Sequence, residues 1–343
     1  MRARELFGSK VVRAIALTLV VLVPWQLGAF ATRAKAPSAP TSAPGVHDPD
    51  VVRSSPVVPS PAPRSEPGGA QRARRPDPRE GRLWAFGGFG AWVDVYDFES
   101  LVPSEAVAEL AVRGVRTLFI QTGRYNTPHA VAPEVGPWLE AAHRADLKVV
   151  GWYLPNYRPV RRDVARTVAI ARYEWAGHRF DGLGIDIEFK DDVAYPPTWN
   201  ARVVEHARTV RERLGRRYPI AAITPPPLQM DVAPLRWAGF PWEGLAEVSD
   251  VFMLMSYWSY RDCGGNPDHC AYPFTHLNVS ETRRLVGDKP VHTIGGVGDV
   301  VGTREVADFV RGALHAEAFG ASLYDLRTTA PAYWRHLAKL RRL

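Results

Sequence analysis

The sequence predicts an α/β protein. A single (β/α)8 barrel spans residues 83–343, preceded by a signal or anchor helix and a disordered proline-rich linker. Three observations carry the fold prediction. From Leu83 onward, short apolar runs alternate with amphipathic stretches, as in a parallel sheet. The alternation repeats eight times. Eight such units in 261 residues fit the ~250 residues of a TIM barrel.

The elements follow in chain order. Arg2, Arg4, Lys10 and Arg13 precede an apolar stretch from Ala14 to Ala31, with small residues at Ala29 and Ala31. Residues 1–31 therefore read as a signal peptide or an N-terminal membrane anchor. Either reading places the rest of the chain outside the cytoplasm, secreted or membrane-anchored. Residues 32–82 hold 11 prolines among Ala, Ser and Arg. Such a stretch buries too little apolar surface to offset its ordering entropy, so it reads as an extended spacer. Strands are expected at Gly90–Tyr96, Thr117–Gln121, Lys148–Tyr153, Gly182–Glu188, Ile220–Thr224, Val251–Tyr257, Val291–Ile294 and Ala321–Tyr324. Helices are expected at Ser104–Arg113, Glu134–Arg144, Arg162–Ala176, Thr198–Arg217, Trp242–Ala246, Ser280–Val286, Arg304–Ala318 and Pro331–Arg341. Pro103 and Pro331 suit helix starts.

Composition narrows the function. Hydrophobic residues at 46% and charged ones at 23% exclude a wholly disordered or multi-span membrane chain. The first 82 residues carry 13 Lys and Arg against 6 acids, and the remainder is balanced. The folded part thus has no basic bias, and no nucleic acid partner is expected. No GxGxxG opens a helix after the first strand, and no Lys-Ser/Thr follows the Gly295–Gly298 run. Neither a cofactor nor a metal is expected, and the chain reads as a monomer.

Barrel active sites lie at the C-terminal strand ends. Those ends carry Asp94, Asp97, Gln121, Arg124, Tyr153, Asn156, Asp186, Glu188, Tyr257, Asp299, Tyr324 and Asp325. Aromatic residues cluster with them, among them Tyr125, Trp152 and Trp258. Acids edged by flat rings suit a polysaccharide, whose pyranose faces stack on rings while carboxylates bind hydroxyls. Asp94, Gln121, Tyr125, Trp152, Tyr153, Trp258, Tyr324 and Asp325 are therefore candidate substrate contacts.

The fourth strand is the most informative. In Phe180-Asp181-Gly182-Leu183-Gly184-Ile185-Asp186-Ile187-Glu188, alternation puts Gly184, Asp186 and Glu188 on one face. The apolar set must meet the helix layer, so the acids face the barrel mouth. Acids roughly 6.6 Å apart on one strand repel, which keeps one protonated beside an ionised partner. Glycosidic cleavage uses such a pair. The pair could instead hold a metal, but no histidine lies in this strand to help.

Phe180–Glu188 resembles the DGxDxDxE signature of family 18 glycoside hydrolases, the chitinase-like enzymes. Asp181, Gly182, Asp186 and Glu188 match, and Gly184 stands where the family has its first Asp after the DG pair. Met253–Tyr257 resembles that family's sixth strand, with Trp258 in place of its last acid, and Tyr324 stands where a Trp is usual. The resemblance implies a catalytic set. Glu188 is then acid and base, Asp186 orients the substrate's 2-acetamido group, and Tyr257 hydrogen-bonds the acetamido oxygen. The implied reaction is retaining, substrate-assisted hydrolysis of an N-acetylhexosamine polysaccharide. Asp186-Ile187-Glu188 with Asp94 also resembles family 25 lysozymes, which implies peptidoglycan. A noncatalytic carbohydrate-binding barrel is the alternative of a different class.

Cys263 and Cys270, directly after the sixth strand, are expected to form a disulfide outside the cytoplasm. Asn278-Val279-Ser280 is a glycosylation sequon, but Ser280 reads better as a helix cap.

Overall fold

A computed structural model of the chain describes residues 81–343. The expected export segment and nearly all of the linker lie outside the described residues. Among those described, no helix is long and apolar enough to cross a membrane.

Eight parallel strands close a barrel. They are β1 (Gly88–Val93), β2 (Thr117–Arg124), β3 (Lys148–Leu154), β4 (Gly182–Asp186), β5 (Ile220–Thr224), β6 (Val251–Met255), β7 (Val291–Val297) and β8 (Gly320–Tyr324). Each pairs with its neighbours in sequence, and β8 pairs with β1, Gly88 opposite Gly320. The helices are α1 (Pro103–Arg113), α2 (Val135–Arg144), α3 (Val160–Ala171), α4 (Pro196–Leu214), α5 (Pro227–Val232), α6 (Trp242–Ala246), α7 (Ala271–Val286), α8 (Thr303–His315) and α9 (Trp334–Leu337). Helix α1 begins on Pro103 and stops at Gly114, whose φ of 79° is the left-handed conformation a side chain resists.

Strand alternation sorts the apolar residues into two cores. Phe119, Val150, Trp152, Ile223, Met253 and Ile294 fill the barrel interior. Phe89, Leu118, Ile120, Leu183, Ile185 and Phe252 pack outward with helix residues such as Leu110, Trp138, Val164 and Phe309. Phe86 plugs the N-terminal end, and a Cβ on Gly182 would lie 2.7 Å from its ring. Above it, buried His292 bridges the Phe86 carbonyl and Ser322 Oγ, both at 2.8 Å. Burial holds this histidine neutral, its pKa lowered to about 4. Ser322 Oγ also accepts from Trp92 Nε1 at 2.7 Å. The interior is a packed core with a polar layer, not a pore.

The structure departs from two expectations. Helix α7 begins at Ala271, so Ser280 lies mid-helix and its hydroxyl donates back to the His276 carbonyl instead of capping. Asn278 is fully buried: its amide donates to the Phe274 carbonyl, and Oδ1 accepts from the Leu228 N–H. The sequon therefore presents no accessible acceptor. The helix expected over Arg162–Ala176 ends at Ala171, and a two-stranded ribbon, Glu174–Trp175 against His178–Arg179, follows.

Candidate active site

The C-terminal ends of β1, β2, β4, β6 and β8 gather the polar residues. Leu183 and Ile185 of β4, and Ile187 just beyond its end, belong to the outer core, which turns Asp186 and Glu188 to the inner side. Asp186 is buried, and its Oδ1 has no hydrogen-bond partner among the described residues. Burial first, then repulsion by Glu188, raises its pKa well above the usual carboxylate range, against the pull of Arg124. Burial also raises that of Glu188, opposed by Arg124 and Arg236. The two titrate as a pair that keeps a proton well above the pH at which a free carboxyl loses it.

Arg124 ends β2. Its N–H is held by Thr127 Oγ1, and its guanidinium donates to Tyr96 Oη at 2.6 Å. Tyr257 follows β6, and its pKa is raised by burial, then by Glu188 and Asp186. Its ring lies 6.0 Å from that of Tyr324. Tyr324 donates to Asp94 Oδ2 at 2.8 Å. Trp92 and Trp152, centroids 5.7 Å apart, floor the site, and Trp152 Nε1 is buried without a partner among the described residues. Gln121 Oε1 accepts the Val95 N–H at 3.2 Å. At the rim, the Tyr125 ring lies 4.6 Å from Phe189.

Two expected substrate contacts lie elsewhere. Tyr153 belongs to the outer core and donates to Asp163 Oδ1 of α3 at 2.7 Å. Trp258 is buried against Phe309 of α8, centroids 5.2 Å apart. Both face the helix layer. Tyr153→Phe strands a buried acceptor and is expected to lower the unfolding free energy by about 1–3 kcal/mol. A urea titration checks it.

Asp94, Asp97 and Asp325 are all buried, with carboxylate oxygens within 4.8 Å of one another. By proximity they could hold a cation, although no metal was expected from the sequence. Their oxygens already accept protein hydrogen bonds. Asp94 takes the Tyr96 N–H at 2.8 Å, Asp97 takes Arg327 Nε at 2.8 Å, and Asp325 takes the Thr328 N–H at 2.9 Å. Burial, with repulsion from Asp325 and Asp94, raises the Asp97 pKa to about 7. The folded chain thus keeps a proton that the unfolded chain releases near 3.8. That stabilisation is complete below 3.8 and lost as pH rises through about 7. Thermal midpoints are expected to fall across this window, and Asp97→Asn to flatten the fall.

Sequence reasoning ranked Asp97 and Arg124 only as strand-end residues and missed Arg236 and Arg327. Their partners lie far away in sequence, so no local pattern marks them. Cys263 and Cys270 are joined, Cα atoms 4.6 Å apart, in the loop after β6.

No protein-family model matches the chain, and no curated protein matches it. Solved structures share its barrel. An endo-β-1,4-mannanase from Thermotoga petrophila superposes with a TM-score of 0.58 at 11% identity, over 76% of this chain and 77% of that one. A chitinase from Chromobacterium violaceum gives 0.54 at 12%, over 74% and 98%. A family 18 chitinase from Cycas revoluta gives 0.53 at 12%, over 75% and 100%. The chain has the barrel fold of these enzymes. At such identities the likeness establishes fold, and the site must carry the function.

Proposed function

We propose that the chain is an extracytoplasmic glycoside hydrolase, family 18-like, acting on an N-acetylhexosamine-containing polysaccharide. The carrying observation is the carboxyl pair at the end of β4, turned to the barrel mouth beside Tyr257, with both pKa values raised by burial. Glu188, the more exposed of the two, delivers the proton to the leaving oxygen and then takes one from water. Asp186 orients the substrate's acetamido group, whose oxygen attacks the anomeric carbon in place of an enzyme nucleophile. Tyr257 donates to that oxygen. Asp186 Oδ1 and Trp152 Nε1, without partners among the described residues, are groups a sugar can satisfy. Residues 1–31 export or anchor the chain, residues 32–82 hold the barrel off the envelope, and the protein acts as a monomer.

A specific observation favours a second reading. Gly184 leaves Asp186 without the neighbouring acid of the resembling family, and Trp258 is packed away from the site. A noncatalytic carbohydrate-binding barrel fits both facts. With Asp94 included in the site, peptidoglycan is the substrate a family 25-like enzyme would take.

The test is release of reducing ends from chitin oligomers, peptidoglycan and other amino-sugar polymers by the full chain, beside Glu188→Gln. Release by the wild type alone supports the hydrolase. No release, with equal pull-down of one polymer by both proteins, moves the assignment to the binding module.

A further inference from the structure

A second cluster lies at the other end of the barrel, around Asp181 just before β4. The ribbon after α3 folds back on α2, where Trp175 Nε1 donates to Glu140 Oε2 at 3.1 Å. His178 of this ribbon meets His143 of α2, their Nδ1 atoms 3.2 Å apart. His143 Nε2 lies 2.9 Å from Asp181 Oδ2. Asp181, just before β4, also accepts the Val149 N–H at 2.9 Å and pairs with Lys148 Nζ at 3.1 Å.

With Nε2 on Asp181, His143 turns its Nδ1 toward Nδ1 of His178. Two imidazole nitrogens on one tetrahedral ion, each 2.0–2.1 Å from it, stand about 3.3 Å apart. The 3.2 Å spacing matches that separation. A carboxylate on the far nitrogen of a ligating histidine fixes its tautomer and raises its basicity. Both histidines are partly exposed, so an ion and its waters can reach them.

We propose that His143 and His178 form a two-histidine site for a divalent ion of the zinc class, with Asp181 as its outer carboxylate and water completing the shell. On binding, the ion takes the place of the hydrogen bond between the rings, and the proton it displaces passes to water. The metal pins the ribbon to α2, at the opposite end of the barrel from Glu188.

Calorimetric titration of the full chain with zinc chloride tests this, in a buffer that does not chelate. The expected result is one zinc ion per chain, binding abolished in His178→Gln and weakened about 10–100-fold in Asp181→Asn. His178 lies on an outer ribbon, so circular dichroism should show its variant folded. If His143→Gln fails to fold, the His178 and Asp181 variants still decide. Absence of saturable binding at millimolar zinc overturns the proposal. So does binding unchanged in His178→Gln, and so does binding lost only in Asp325→Asn, which would move the ion to the acidic cluster.

Discussion

Glu188→Gln is expected to lower turnover of the responsive polymer by about 10²–10⁴-fold, the usual worth of a positioned acid and base, with little change in KM. Glutamine keeps the volume and hydrogen-bonding capacity of the side chain, so substrate should still bind. It cannot deliver a proton to the leaving oxygen or take one from water. The pH profile supplies a second reading. Burial raises the Glu188 pKa, so the protonated acid persists above the usual range for a glutamate. Wild-type kcat/KM should then fall as pH rises through that raised value. In the variant the alkaline limb should vanish along with most of the rate. A variant that hydrolyses as fast as the wild type would remove Glu188 from the mechanism, and with it the proposed reaction.

The fold was legible because short apolar runs and amphipathic helices recurred eight times. Strand β4 shows why part of the site was legible as well. Leu183 and Ile185 on its outer face, and Ile187 just beyond its end, are all apolar, so the acids could occupy only the inner face. The misplaced residues failed for equally physical reasons. Trp152 and Tyr153 are adjacent on β3, and a pleated strand can turn only one of them inward. The interior takes Trp152, and Tyr153 goes to Asp163. Strand β6 ends at Met255, and Trp258 starts a 3-10 turn, so alternation counted from the strand no longer sets its direction. Arg327 reaches Asp97 across 230 positions of sequence, a pairing that exists only once β8 closes on β1. Only the second half of α7 was expected, because its first turns follow directly on the loop that the disulfide closes.

Gly184→Asp, which restores the acid of the resembling family, is expected to destabilise the barrel severely instead of improving the site. A Cβ at 184 would lie 2.7 Å from Ile223 Cδ1 and 3.1 Å from Trp152 Cβ. The Ile223 methyl can swing aside, but the Trp152 Cβ is tied to its backbone. Overpacking of this kind costs about 1–3 kcal/mol. The carboxylate would also lie beside Asp186, in an interior where an uncompensated charge costs about 3–5 kcal/mol. Against a typical total of about 5–15 kcal/mol, most of the margin is at stake. A urea titration should show a midpoint far below wild type. Adding Ile223→Ala isolates the steric part. The double variant should be more stable than the two single losses predict, by about 0.5–3 kcal/mol of coupling. A Gly184→Asp chain as stable as the wild type would show that Trp152 and Ile223 yield to a third acid. The glycine would then reflect what the site binds, not the space that its aromatic floor leaves.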